Sequence, residues 1–252
     1  MNIDTVNLSQ KIEKKFQQLR QNDNYVGMGK LIAYSLQVNS RQHNISFFGY
    51  IPKIFRTIEI FLDENSIQSK DIFIGEPVIY KILYGEDRQL YGLNYFYIFC
   101  YLKENSDRLN VYFQSAHPQY KDLTLDEYDL EREKISFEGC ISSFDNTNLS
   151  VISVSDPGHF LPGITSSYYV GSPELNFPQL IAQVINKITF LANIKLSNTL
   201  LFGSSAGTFG ALLSSTYLKE KTNVMAVNSQ INIRYRQDIM QSCLGLTNSQ
   251  EI

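Results

Sequence analysis

The stretch Leu200-Leu201-Phe202-Gly203-Ser204-Ser205-Ala206-Gly207-Thr208-Phe209-Gly210 restricts the fold of this chain more than any other. A short apolar run enters a G-x-S-x-G pentad, and a helix-compatible segment continuing into Ala211-Leu212-Leu213 leaves it. That order requires a buried strand, a sharp turn and a helix doubling back along the strand. Gly203 and Gly207 would let strand and helix approach closely. Gly210 and Ala211 are small where the helix must pack on its strand. Ser205 takes the apex, its hydroxyl pushed out of the sheet edge by a strained backbone.

The surrounding pattern supplies a sheet for this turn. Residues 199–202 and 224–227 are unbroken apolar runs, as expected of parallel strands buried on both faces. Leu149–Ser155 reads as another buried strand, ending in Asp156-Pro157-Gly158-His159. Between them, Phe177, Leu180, Ile181, Val184, Ile185, Ile188 and Leu191 recur at helical spacing, with Asn176 as N-cap and Pro178 in the first turn. Strands alternating with helices predict an α/β fold: a mostly parallel sheet with helices on both faces. Upstream, Tyr95–Leu102 and Leu109–Ser115 read as strands, and the polar link Lys103–Arg108 reads as a hairpin turn. Short strands are also expected at 45–51, 72–74 and 78–83, with a helix around Phe55–Leu62. Thr5–Arg20 reads as a weakly amphipathic, mainly solvated helix. Gly27-Met28-Gly29-Lys30 lacks phosphate-loop spacing. These signals divide the chain into an N-terminal helix plus β-rich extension (1–90) and an α/β domain (91–252).

Composition removes several classes of function. Of 252 residues, 22 are basic and 25 acidic, giving a net charge of −3, and the basic residues form no block, so nucleic acid is not an expected partner. The three cysteines, Cys100, Cys140 and Cys243, have no ligand spacing, and no metal or cofactor is expected. Reduced cysteines, a polar N-terminus and no apolar run of membrane-spanning length predict a cytoplasmic protein without a membrane span.

A serine hydroxyl needs a base to take its proton and donors to receive the oxyanion that forms. The Ala206 N–H, at a helix start, is one such donor; the loop Ser115-Ala116-His117 after an upstream strand would supply the second. The three histidines, His43, His117 and His159, all precede Ser205, and only Glu220, Asp238 and Glu251 offer carboxylates after it. A triad in the order serine, acid, histidine therefore cannot be completed. Three readings stay open: a C-terminally shortened enzyme, an inactive relative kept for binding, or an unconventional base. For the last, His159 is the candidate base, with Asp156 three residues away to orient it; His117 fits the oxyanion loop better.

Three segments in order resemble α/β-hydrolase-like capsular polysaccharide biosynthesis proteins of the XcbB/CpsF type and, more distantly, the glycan O-acetyltransferase subunit of accessory Sec systems. They are Leu109–Ala116; Ser153-Val154-Ser155-Asp156-Pro157 with Ser167-Tyr168-Tyr169-Val170-Gly171; and Phe202–Leu212 with Asn228–Ile233. The match runs over roughly residues 95 to 236. It implies an α/β-hydrolase-like domain, shortened at its C-terminus, with Ser205 at the nucleophile position. It further implies ester hydrolysis or O-acyl transfer on a glycan or small ester, among protein partners in polysaccharide assembly. The alternative it leaves is an inactive binding subunit of a glycan-assembly complex.

Overall fold

The computed structural model describes residues 11, 14–31, 55–62, 67–84, 94–116, 137–145, 148–157, 166–172, 175–229 and 232. Two short helical segments, α1 (residues 14–21) and α2 (residues 25–31), come first. Strands β1 (Arg56–Phe61), β2 (Pro77–Leu83), β3 (Tyr95–Tyr101) and β4 (Leu109–Phe113) follow. Then come α3 (Cys140–Asp145), β5 (Ser150–Val154), α4 (Phe177–Leu191), β6 (Thr199–Ser204), α5 (Gly207–Ser215) and β7 (Asn223–Val227).

The strands form one seven-stranded sheet in the order β1-β2-β3-β5-β4-β6-β7. Only β3 runs against the others, pairing antiparallel with β2 and β5. The remaining neighbours are parallel. This is an α/β architecture with a mostly parallel sheet, and the strands at 56–61 and 77–83 hydrogen-bond into that same sheet.

Alternate residues on the strands feed two cores, as the two-residue period of a strand requires. Tyr80, Ile98, Val111, Ile152 and Leu201 face one side, where α4 and Ala211 of α5 cover them. Ile79, Phe99, Tyr101 and Val151 face the other, beneath Phe16, Met28, Cys140 and Phe144. Most described residues of α1 are exposed, as a solvated helix requires, while Phe16 of α1 and Met28 of α2 are buried against the sheet. Helix α4 matches its sequence pattern to the residue, and the Asn176 side chain accepts from Gln179 N–H at 3.1 Å.

Four expectations are corrected. Residues 72–74 form no strand, only an isolated bridge from Ile74 to Leu102, and β7, at the edge of the sheet, is mostly exposed instead of buried on both faces. Residues 56–61 are a strand, not a helix, because Thr57, Ile58 and Ile60 are β-branched and Ile58 and Ile60 share one face two residues apart. Residues 103–108 do not close a hairpin, since β5 lies between β3 and β4. The link's polar groups serve β5 instead. Ser150 Oγ accepts from Lys103 N–H at 3.0 Å, and Ser106 Oγ accepts from Ser150 N–H at 3.1 Å while donating to Asn148 O at 3.0 Å. The strand expected at 45–51 lies outside the described residues.

No helix among the described residues is long and apolar enough to cross a membrane. Replacing Ile185, fully buried under the sheet, with alanine should cost about 2–5 kcal/mol. Phe190, 78% exposed on the same helix, should lose less than about 0.5 kcal/mol on the same change. Urea midpoints at unchanged m-value measure both.

Candidate active site

The chain reverses between β6 and α5 at Ser205, which takes a left-handed φ of 51°. Such a conformation costs a non-glycine residue roughly 1–2 kcal/mol, and three hydrogen bonds hold it. Ser205 N–H donates to Val227 O of β7 (3.0 Å), Thr208 N–H donates to Ser205 O (3.2 Å), and Thr208 Oγ1 donates to Gly203 O (3.0 Å). A Cβ on Gly203 would stand 2.5 Å from Thr208 Cα, and one on Gly207 would stand 3.0 Å from Gln114 O. Backbone therefore meets backbone at this turn, with no room for side chains. The half-buried Ser205 hydroxyl makes no hydrogen bond among the described residues.

The site's place in the sheet follows from the topology. The connection from β4 through α3 to β5 runs in one direction and those from β5 through α4 to β6 and on to β7 in the other. Right-handed crossovers put α3 and α4 on opposite faces, as the two cores show. The loops after β4 and β6 consequently part at their carboxyl ends, and such switch points are where open α/β sheets bind ligands. Ser205 follows β6; Ser115 and Ala116 follow β4.

Helix α5 has Ala206 as its N-cap (φ −60°, ψ −36°), and no side chain caps it. The partial positive charge of the helix start falls beside Ser205. Ala206 is buried in a small apolar cluster with Tyr168, against which Ala116, Val170 and Phe209 pack. The fold thus brings Ala206 and Ala116, which are 90 positions apart in sequence (206 − 116), into one cluster beside the serine.

Asp156 sits past the end of β5 and is buried. Its carboxylate accepts from Ser166 Oγ (2.5 Å), from Ser167 N–H (2.9 Å) and from Ser167 Oγ, while its own N–H donates to Gln114 Oε1 (2.9 Å). Charge buried in this way needs donors of this kind to replace water. The carboxylate ties the chain at 156 to the chain at 166–167. His159 and His117 lie outside the described residues, as does His43. Next to this clamp, Tyr168 and Tyr169 take consecutive left-handed φ values of 55° and 58°. The buried Tyr169 hydroxyl donates to Val154 O (3.0 Å) and Gln114 O (3.2 Å), where β5 and β4 end. Burial, then the negative charges of Asp156 and Glu138, pushes this phenol well above its ordinary pKa, so it remains a donor.

Sequence reasoning did not single out Glu138 or Ser166, and it met Gln114 and Tyr169 only as members of the segments that carry the resemblance. Polar residues after strand ends were the available signal, but their pairing depends on strand order. Among the described residues, no group of three or more His, Cys, Asp or Glu could hold a metal ion.

No protein-family model and no curated protein matches the chain. Among solved structures it is similar to the glycosylation-associated protein (Gap123) complex of Streptococcus agalactiae, at 20% identity over 63% of this chain and 29% of that one, TM-score 0.45. It is also similar to the capsule O-acetyltransferase of Neisseria meningitidis serogroup A bound to CoA, at 20% identity over 65% of this chain and 63% of that one, TM-score 0.44. A second structure of that enzyme, with caged gadolinium, gives 20% identity, 62% of each chain and a TM-score of 0.41. The chain spans less than two thirds of the length of each.

The strain at Ser205 has a measurable consequence. Ser205→Gly should be about 1 kcal/mol more stable than Ser205→Ala, since glycine adopts the left-handed region freely. Gly203→Ala should lose about 2 kcal/mol or more, because its Cβ meets backbone that cannot move aside. Thermal and urea unfolding of the three variants would reveal the opposite result if the turn were relaxed.

Proposed function

We propose that the chain carries an α/β-hydrolase-like site in which Ser205 performs ester hydrolysis or O-acyl transfer. The observation that carries this reading is the strained Ser205 at the switch point of a mostly parallel sheet, its hydroxyl unengaged and a helix start behind it. In this mechanism a base takes the Ser205 Oγ proton as the oxygen attacks an ester carbonyl. The carbonyl oxygen becomes an oxyanion held by the N–H groups of Ala206 and Ala116. The C–O bond to the alcohol then breaks, the base returns its proton to that alcohol, and an acyl-serine is left. Water or an acceptor hydroxyl releases the acyl group by the reverse sequence.

His159 is the proposed base. It lies three residues from Asp156, a span of about 11 Å at most, and β5 and β6 flank β4 at about 5 Å per strand spacing. Asp156 is engaged by Ser166 and Ser167, which supports a role in tying the end of β5 to residues 166–167 rather than in polarising the histidine. The same engagement favours, as the second reading, a non-catalytic glycan-binding subunit. The sequence resemblance to capsule-synthesis proteins supplies the acceptor class for the first reading, a hydroxyl of a surface polysaccharide.

A fluorophosphonate probe should label the wild-type protein and fail to label Ser205→Ala. His159→Ala should slow labelling by about 10²–10⁴-fold. Equal labelling of wild type and Ser205→Ala would remove the acyl-transfer reading and leave the binding one. Unchanged labelling of His159→Ala would remove that histidine as the base.

A further inference from the structure

Glu138 is a carboxylate that the proposed reaction does not use, yet it touches the loop on which the second oxyanion donor sits. Ser115 donates to Glu138 Oε1 twice, from its N–H at 2.6 Å and from its hydroxyl. Hydrogen bonds to an ionised acceptor are about twice as strong as neutral ones. The Ser115 N–H is thereby consumed, and the amide that the loop keeps for a ligand is that of Ala116.

Glu138 itself is held rigidly. Phe137 before it is buried against Phe99, with ring centroids 6.0 Å apart. Gly139 after it takes a φ of 73°, and a Cβ there would come 2.5 Å from Tyr112 Cε2 on β4. Cys140 N–H closes the turn on Phe137 O at 3.3 Å. The carboxylate therefore projects from a turn pressed onto β4, the strand whose end carries Ser115. From the other side, the methyl group of Ala116 packs into the cluster of Tyr168 and Ala206.

We propose that Glu138 is a positioning residue: by clamping Ser115 it fixes the Ala116 N–H beside that of Ala206, completing a two-donor oxyanion hole for Ser205. This rests on the acyl-transfer reading. Oxyanion stabilisation depends on donors held in place before reaction, because a donor that must reorient as the charge forms loses most of its effect. Glu138 acts through the loop and does not touch the reacting atoms.

The test is turnover of p-nitrophenyl acetate by the full chain, with kcat and KM separated, alongside thermal unfolding. Glu138→Ala should lower kcat by about 10- to 100-fold with KM changed by less than about twofold, since the loss is confined to the transition state. Glu138→Gln keeps an oxygen acceptor for the Ser115 N–H and should return kcat to within about threefold of wild type. A wild-type kcat in Glu138→Ala overturns the proposal. So does a loss that Glu138→Gln fails to rescue, or one matched by a raised KM and lowered melting temperature. Should Glu138→Ala not fold, Glu138→Asp carries the test: its carboxylate is one methylene short, and a wild-type kcat there overturns the proposal equally. Wild-type turnover that survives Ser205→Ala overturns the acyl-transfer reading and this inference with it. Ser205-dependent turnover with an indifferent Glu138 overturns this inference alone.

Discussion

The close contact between the β6–α5 turn and the end of β4 is the constraint on which the rest of the site depends. Gly203 and Gly207 bring the backbone of the turn against Thr208 and Gln114, at separations where no side chain fits. That approach sends the chain over at Ser205 into a left-handed conformation, and the Val227 carbonyl of β7 completes its support. Strain of roughly 1–2 kcal/mol persists only where the surroundings over-determine it. Here β6 is hydrogen-bonded between β4, inside the sheet, and the mostly exposed edge strand β7, so the turn cannot relax without breaking the pairing on both sides.

A second layer of order comes from polar groups that the strands leave at their carboxyl ends. Gln114 accepts from Asp156 N–H, Asp156 gathers Ser166 and Ser167, and Tyr169 returns to the carbonyls of Gln114 and Val154. Each buried group here has a partner, so the low dielectric strengthens the network instead of penalising it. Its effect is to fix three loops, after β4, after β5 and around residue 168, against one another around Ser205. Tyr169 also stacks on Phe177 at the start of α4 and meets Phe113 edge-on, so the polar network is anchored in the larger core.

Where sequence reading held, the signal was local. Helix α4 was legible because its apolar stripe, N-cap and first-turn proline agree. Strands β6 and β7 and the turn at Ser205 were legible from unbroken apolar runs and a spaced pair of glycines, and β5 from its Val151, Ile152 and Val154. Where it failed, a distant partner decided. The link 103–108 has the polarity of a hairpin turn, but Ser106 and Lys103 bond to the start of β5, which enters between the strands it joins. Phe16 lies on a mostly polar helix, and its burial beside Met28 depends on Phe99, Tyr101 and Phe144 from distant parts of the chain.

Local sequence suffices to make a strand, a sharp turn and a helix meet at Ser205, because glycine spacing and apolar runs act over a few residues. It also determined the alternating order that makes the sheet mostly parallel. Only in the folded chain does Asp156 gather two serines, does Glu138 hold Ser115, and do Ala116 and Ala206 share one cluster. Those contacts join residues from 10 to 90 positions apart. They exist because β5 inserts beside β4 and the connection to β6 crosses back over it, bringing separate loops to one edge of the sheet.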